Sequence, residues 1–222
     1  MRTGRCGMLR GGAAAMALMT ATAALAHEDS NACLEGKLEH AEQWLAAFDE
    51  ETGRDLRNYP PDRLVDHRHM KLRMRFEDLE QPRFTAHETL TVAPIGAPVS
   101  GLELDAIGLD VTSVTCGDHD VEFFVEDESI TLRFEPPLPT AVEHDIEFTY
   151  ACERPYAGLY FTPTAPDMPD YTAEVHTQGQ TITNRHWFIS HDSPNDQMTT
   201  ELIVDVPAGY QVSSNGLWLY SI

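Results

Sequence analysis

The chain has 222 residues, 42% of them hydrophobic, with 36 acidic against 15 basic side chains and a formal charge of −21. A surface this acidic repels phosphate backbones, which excludes nucleic acid as a partner, and the length suits one domain or one domain with an extension. The acidity serves solubility, with attraction for a cationic ligand as the alternative.

Arg2, Arg5 and Arg10 precede a run from Gly11 to Leu25 almost free of polar side chains, which closes on Ala24-Leu25-Ala26 before His27. A basic start, a short apolar stretch and an Ala-x-Ala site predict a signal peptide over residues 1–26 and an exported protein, periplasmic or extracellular. The apolar run falls short of the ~20 residues a spanning helix needs, so no membrane partner is expected. Residues 27–63 read as a helical extension and linker. Leu34, Leu38, Ala41, Leu45 and Phe48 recur at helical spacing over residues 30–53, Asp29 or Ser30 can cap the start, and Gly53 ends the pattern. Pro60-Pro61 then stops any helix.

Residues 64–222 form the main domain, and from residue 67 the period changes to two. Met70, Leu72, Met74 and Phe76 alternate with Lys71, Arg73 and Arg75, which predicts a half-buried strand. Phe84 to Val92 alternates likewise and pairs with it in a hairpin through Glu80-Gln81-Pro82. Further strands are predicted at Leu102–Leu104, Val111–Thr115, Val121–Val125, Ile130–Phe134, Ile146–Tyr150, Leu202–Val206 and Tyr210–Ser213. Many short strands separated by Pro, Gly and Asp turns make the fold mainly β, an antiparallel β-sandwich.

Cys33, Cys116 and Cys152 follow the signal segment. Export permits a disulfide, and Cys116 with Cys152 is the possible pair because both lie at ends of predicted strands; buried free thiols are the competing reading. None has a Cys-x-x-Cys partner. His67-x-His69 offers two imidazoles to a metal but no third ligand. His27-Glu28 and His87-Glu88 are the only His-Glu pairs, and neither has a histidine three positions after the glutamate, so the helical zinc motif is absent. Gly-x-Ser-x-Gly, phosphate-binding loops and Gly-x-Gly-x-x-Gly are absent too, which leaves no catalytic residue to name.

Residues 176–196, HTQGQTITNRHWFISHDSPND, concentrate polar side chains without a long apolar run. In an extended segment Gln178 and Gln180 face the same way and offer amide acceptors and donors that do not titrate. Thr177-Gln178-Gly179-Gln180, then Arg185, Phe188 and Asp192-Ser193-Pro194, resemble the segment T-Q-x-E/Q-x-x-x-x-R-x-x-F-P-C-x-D-x-P of the N-terminal domain of M1-family zinc aminopeptidases, the aminopeptidase N and leukotriene A4 hydrolase group. Other blocks match in the same order: His69-Met70-Lys71-Leu72, LELDAIGLDVTSV from Leu102, Gly158-Leu159-Tyr160, and ELIVDVPAGYQVSSNG from Glu201. The resemblance covers roughly residues 64–222.

It implies a β-sandwich whose loop reaches a peptidase cleft. Gln178 and Gln180 would bind the free α-amino group and first residue of a peptide, so peptide N-termini are the implied partners. Arg185 and Asp192 would hold the loop by charge-assisted hydrogen bonds, and Trp187 and Phe188 would anchor it in the core. Gln180, neutral where the family has glutamate or glutamine, loses the opposite charge an ammonium group prefers. Thr181 stands where the family has alanine or proline, and Ile189-Ser190 where it has Pro-Cys. These departures touch the backbone after Gln180. Zinc is the family's cofactor, yet the Gly-x-Met-Glu-Asn strand and His-Glu-x-x-His helix that follow Ser-Asn-Gly in the family do not occur here. The chain by itself is therefore expected to hold no cofactor and to be inactive, its sandwich incomplete at the C-terminal side. A secreted, non-catalytic binding module derived from such an enzyme is the alternative.

Overall fold

The computed structural model describes residues 63–167 and 171–221. The signal peptide expected over 1–26, the helix expected over 30–53 and Cys33 lie outside them.

Eleven strands make three sheets among the described residues. β1 (Val65–Arg75) buries Met70, Leu72 and Met74 and exposes Lys71, Arg73 and Arg75, as the alternation predicts. β2 (Arg83–Pro94) runs antiparallel to it, with Leu72 opposite Glu88 and Arg75 opposite Thr85. β8 (His144–Glu153) continues the sheet beside β2, β4 (Asp110–Cys116) lies outside β8, and the two-residue β5 (His119–Asp120) closes that edge. At the other edge β11 (Thr199–Asp205) pairs with β1 in parallel, Leu72 opposite Leu202. This one parallel pair corrects the expectation of a wholly antiparallel fold. It joins segments about 130 residues apart, and Lys71–Glu201 at 3.1 Å and Arg73–Asp205 at 2.9 Å match β1's basic face to acidic partners. Exposed pairs of this kind add little stability, but like charges across the same strands would oppose the register.

The second sheet has β7 (Ser129–Leu138) between β3 (Val99–Asp105) and β6 (Glu122–Val125). Its buried residues, Leu102, Leu104, Ile130 and Leu132, belong to the same apolar cluster as Leu72, Leu90, Ile146 and Phe148 of the larger sheet. Each such side chain, removed from water, contributes about 1.5–3 kcal/mol. The third sheet is a short arm, β9 (Leu159–Thr162) against β10 (Glu174–Thr177), that the alternation does not reveal. The strand expected at Tyr210–Ser213 is absent: those residues are irregular, and Gln211 to Ser213 are exposed.

Cys116 and Cys152 are both free thiols, which decides against the possible disulfide and for the alternative reading. Cys116 lies opposite Ile146 on β8, six residues from Cys152 along the same strand. At about 3.3 Å per residue that separates them by roughly 20 Å, whereas bridged Cα atoms lie within about 7 Å. Burial pushes the Cys152 thiol up to about 11.

Candidate functional site

The arm β9–β10 delivers the polar segment. Thr177 pairs with Leu159, and the Gln178 N–H donates to the Gly158 carbonyl at 2.9 Å. Gly158 has φ +77°, and a Cβ there would stand 2.1 Å from the Thr183 carbonyl oxygen and 2.9 Å from Trp187. Only glycine combines that backbone with so close an approach. Beyond Gln178 the chain leaves the sheet. The Gln180–Thr181 peptide bond is cis, and the Thr183 hydroxyl donates to the Gln178 carbonyl at 2.9 Å. A 3-10 turn at Asn184–His186 follows.

The loop is then tied down from three directions. Phe188 and Ile189 enter the core, with Phe188 edge-on to the half-buried Trp187 at 4.6 Å between ring centres. Ser190 exchanges backbone hydrogen bonds with Asp105 at the end of β3, at 2.7 and 3.2 Å. Arg185 reaches Asp105 with Nη1 at 2.8 Å, and its backbone N–H donates to Asp192 Oδ2 at 3.2 Å. The Asp192 N–H in turn donates to Asp105 Oδ2 at 2.7 Å. Burial raises the Asp105 carboxyl above its ordinary value, and the Arg185 charge opposes that rise. The expected pair Arg185 and Asp192 is thus brought together, with Asp105 as a third member that sequence reading missed.

Beneath the loop lies a second residue that was missed. Glu88 is fully buried on β2, and its Oε2 accepts the Ile189 N–H at 3.0 Å. Tyr150 Oη lies 2.8 Å from the same oxygen and 3.2 Å from the Trp187 carbonyl oxygen. Glu88 Oε1 is buried with no partner among the described residues. Burial pushes the carboxyl up to about 8, against the lowering effect of the Ile189 and Tyr150 hydrogen bonds. A signal for it exists in the sequence: Glu88 occupies the buried phase of Phe84, Ala86, Leu90 and Val92.

Gln178 and Gln180 remain on the outside. Both are exposed, and among the described residues neither side-chain amide has a partner. The half-buried Gly179 between them faces Asn184, where a Cβ would meet Oδ1 at 2.2 Å. The backbone is therefore held close while two amide heads point away from it. The histidine pair does not converge: His67 is buried against Asp196 at 2.8 Å, His69 meets the Thr199 hydroxyl at 2.7 Å, and a bulge separates them. Among the described residues no three His, Cys, Asp or Glu side chains gather into a set that could hold a metal, so they do not fit a zinc ion.

No protein-family model matches the chain, and no curated protein matches it. Solved structures do. The chain is similar to an M1 zinc metallopeptidase from Deinococcus radiodurans at 22% identity and a TM-score of 0.60, covering 72% of this chain and 36% of that one. Yeast LTA4 hydrolase matches at 15% identity and a TM-score of 0.55, covering 65% and 23%. Legionella pneumophila aminopeptidase A, in complex with aspartic acid, matches at 17% identity and a TM-score of 0.53, covering 67% and 17%. A further structure of the Deinococcus enzyme holds a Tyr-Ser-Ala substrate. The fold of the described residues is therefore one found in M1 zinc metallopeptidases, in agreement with the motif resemblance. The chain spans little more than a third of the Deinococcus enzyme's length and less of the other two.

Proposed function

We propose that this chain is the N-terminal, substrate-contacting sandwich of an exported M1-type metallo-aminopeptidase. Gln178 and Gln180 receive the free α-amino group and first residue of a peptide, and a domain beyond this sequence supplies zinc and the general base. The observation that carries the reading is the contrast within one loop. Its backbone is fastened to the core, to Asp105 and to Glu88, while both glutamine amides are exposed and, among the described residues, unpartnered. Binding residues are commonly carried on loops that a rigid scaffold positions. The loop residues bind and orient on this reading, and proton transfer at the scissile bond falls to that further domain. On this reading the 222-residue chain alone turns over no peptide.

The test uses the polypeptide expressed from its natural locus with whatever follows it in frame. Gln180→Glu adds a charge opposite to the ammonium group and lowers KM for peptides with a free N-terminus about fivefold, the equivalent of ~1 kcal/mol. Gln178→Ala raises KM by a similar factor. Equal KM values in all three proteins, or equal turnover of N-acetylated peptides, would remove the assignment.

A further inference from the structure

The Tyr150 hydroxyl lies between two acceptors and carries one hydrogen. Glu88 Oε2 is 2.8 Å away and the Trp187 carbonyl oxygen 3.2 Å away. A charged Glu88 captures that hydrogen, because the charge-assisted bond is the stronger, and the Trp187 carbonyl then loses its donor. A protonated Glu88 has two places for its own hydrogen. On Oε1 it would be a buried donor without a partner among the described residues, at a cost of about 1–3 kcal/mol. On Oε2 it points at the Tyr150 oxygen, which frees the phenolic hydrogen to reach Trp187, and each hydrogen in the chain of three oxygens has an acceptor.

We propose that Glu88, Tyr150 and the Trp187 carbonyl form a proton-controlled latch at the root of the 178–192 loop: loss of the Glu88 proton turns the Tyr150 hydroxyl from the loop carbonyl to the carboxylate. The proton leaves Glu88 Oε2 for bulk water, the phenolic hydrogen rotates, and no other bond changes. The Ile189 N–H stays on the carboxyl in both states and strengthens in the charged one. The latch exists whether or not the loop meets a peptide; its bearing on substrate contact rests on the reading given above.

No neighbouring group imitates this switch. On β8 the titratable side chains packed near Glu88 are Tyr150, driven well upward by burial and then by Glu88, and Cys152, held at about 11. On the loop, burial and then the Arg185 charge lower His186, which is neutral once the pH exceeds its ordinary value. Arg185 is committed to Asp105 and Asp192. On β1 the buried residues Met70, Leu72 and Met74 do not titrate, and His67, further along the strand, is lowered by burial and held on Asp196 at 2.8 Å.

The test is a carbon-13 titration of the full chain between pH 5.5 and 10. One side-chain carboxyl, absent in Glu88→Gln, titrates with a midpoint near 8. The Ile189 amide and the Trp187 carbonyl, read through the Phe188 amide, shift with the same midpoint. Tyr150→Phe removes a donor to the carboxylate, so the Glu88 midpoint moves up and the Trp187 response vanishes while the Ile189 response stays. A Glu88 midpoint in the ordinary carboxylate range overturns the proposal. So does a Trp187 carbonyl that stays flat in the native chain while Glu88 titrates. Neither result depends on peptide turnover, so a failure here and a failure of the peptidase reading are separately visible.

Discussion

Asp105→Ala is the sharpest perturbation of the loop's anchorage. The native carboxylate forms an ion pair with Arg185 Nη1 at 2.8 Å and accepts the Asp192 N–H at 2.7 Å. A hydrogen bond involving a charged group contributes about 1.5–3 kcal/mol, and a close, part-buried ion pair at most about as much again, which sets a ceiling near 6 kcal/mol. Two effects lower that ceiling. Burial already works against the Asp105 charge, as its raised pKa shows. Arg185 also keeps Asp192 at 3.5 Å and faces Glu103, Glu126 and Glu128 across the same cleft, so its guanidinium is not left without an anion. The expected cost is about 2–3 kcal/mol, read as a fall in the urea midpoint at unchanged slope. Amides of residues 185–192 should lose exchange protection beyond that global change. Asp105→Asn keeps an acceptor and loses the charge, and should cost roughly half as much. Glu103→Ala, exposed on the same strand, should stay within about 0.5 kcal/mol. An Asp105→Ala cost below about 0.5 kcal/mol would refute the reasoning, because the network would then be ornamental.

Three further outcomes follow from the same contacts. Gly158→Ala forces a Cβ to within 2.1 Å of the Thr183 carbonyl at a positive φ; thermal unfolding should show a loss of about 2 kcal/mol or more, and a loss under 1 kcal/mol would mean that the arm can move. The Glu88 carboxyl, near 8 when folded and near its ordinary value when unfolded, makes the folded state bind more protons between those limits. Stability should therefore fall as pH rises through the window, by at most ~1.4 kcal/mol per unit, relative to Glu88→Gln; parallel pH profiles for the two proteins would contradict this. Non-reducing peptide maps should contain no Cys116–Cys152 linked peptide, and finding one would contradict the register of β4 on β8.

Much of the fold is legible in the sequence because the sheets are half-buried. β1 and β2 announce themselves by alternation, the predicted strands fall within β3, β4, β7 and β8, and the one at Val121–Val125 covers β6. What fails is long-range. β11 joins β1 in parallel across about 130 residues, and no local pattern encodes a partner that far away. β9 and β10 have four residues each, too short for alternation to stand out. Tyr210–Ser213 alternates as a strand does, yet alternation without a neighbouring edge makes no ladder. The question of a disulfide stays open in the sequence for a related cause: strand ends can be read from sequence, but which ends lie together needs the register. In the candidate site, the motif names the exposed glutamines and the Arg185–Asp192 tie. Asp105 is invisible because one aspartate among many at a strand end carries no mark. Glu88 is visible to a stricter reading, since a carboxylate at the buried phase of an apolar strand costs stability unless something holds it.

The central claim, that Gln178 and Gln180 form the wall of a zinc aminopeptidase, is tested most directly by reading the natural gene past the codon for Ile222 in every frame. The account predicts a frame that encodes further strands and then a His-Glu-x-x-His segment with a downstream glutamate. A stop codon followed by unrelated sequence would contradict it, and would leave the exposed glutamine loop to the rival reading, a secreted binding module.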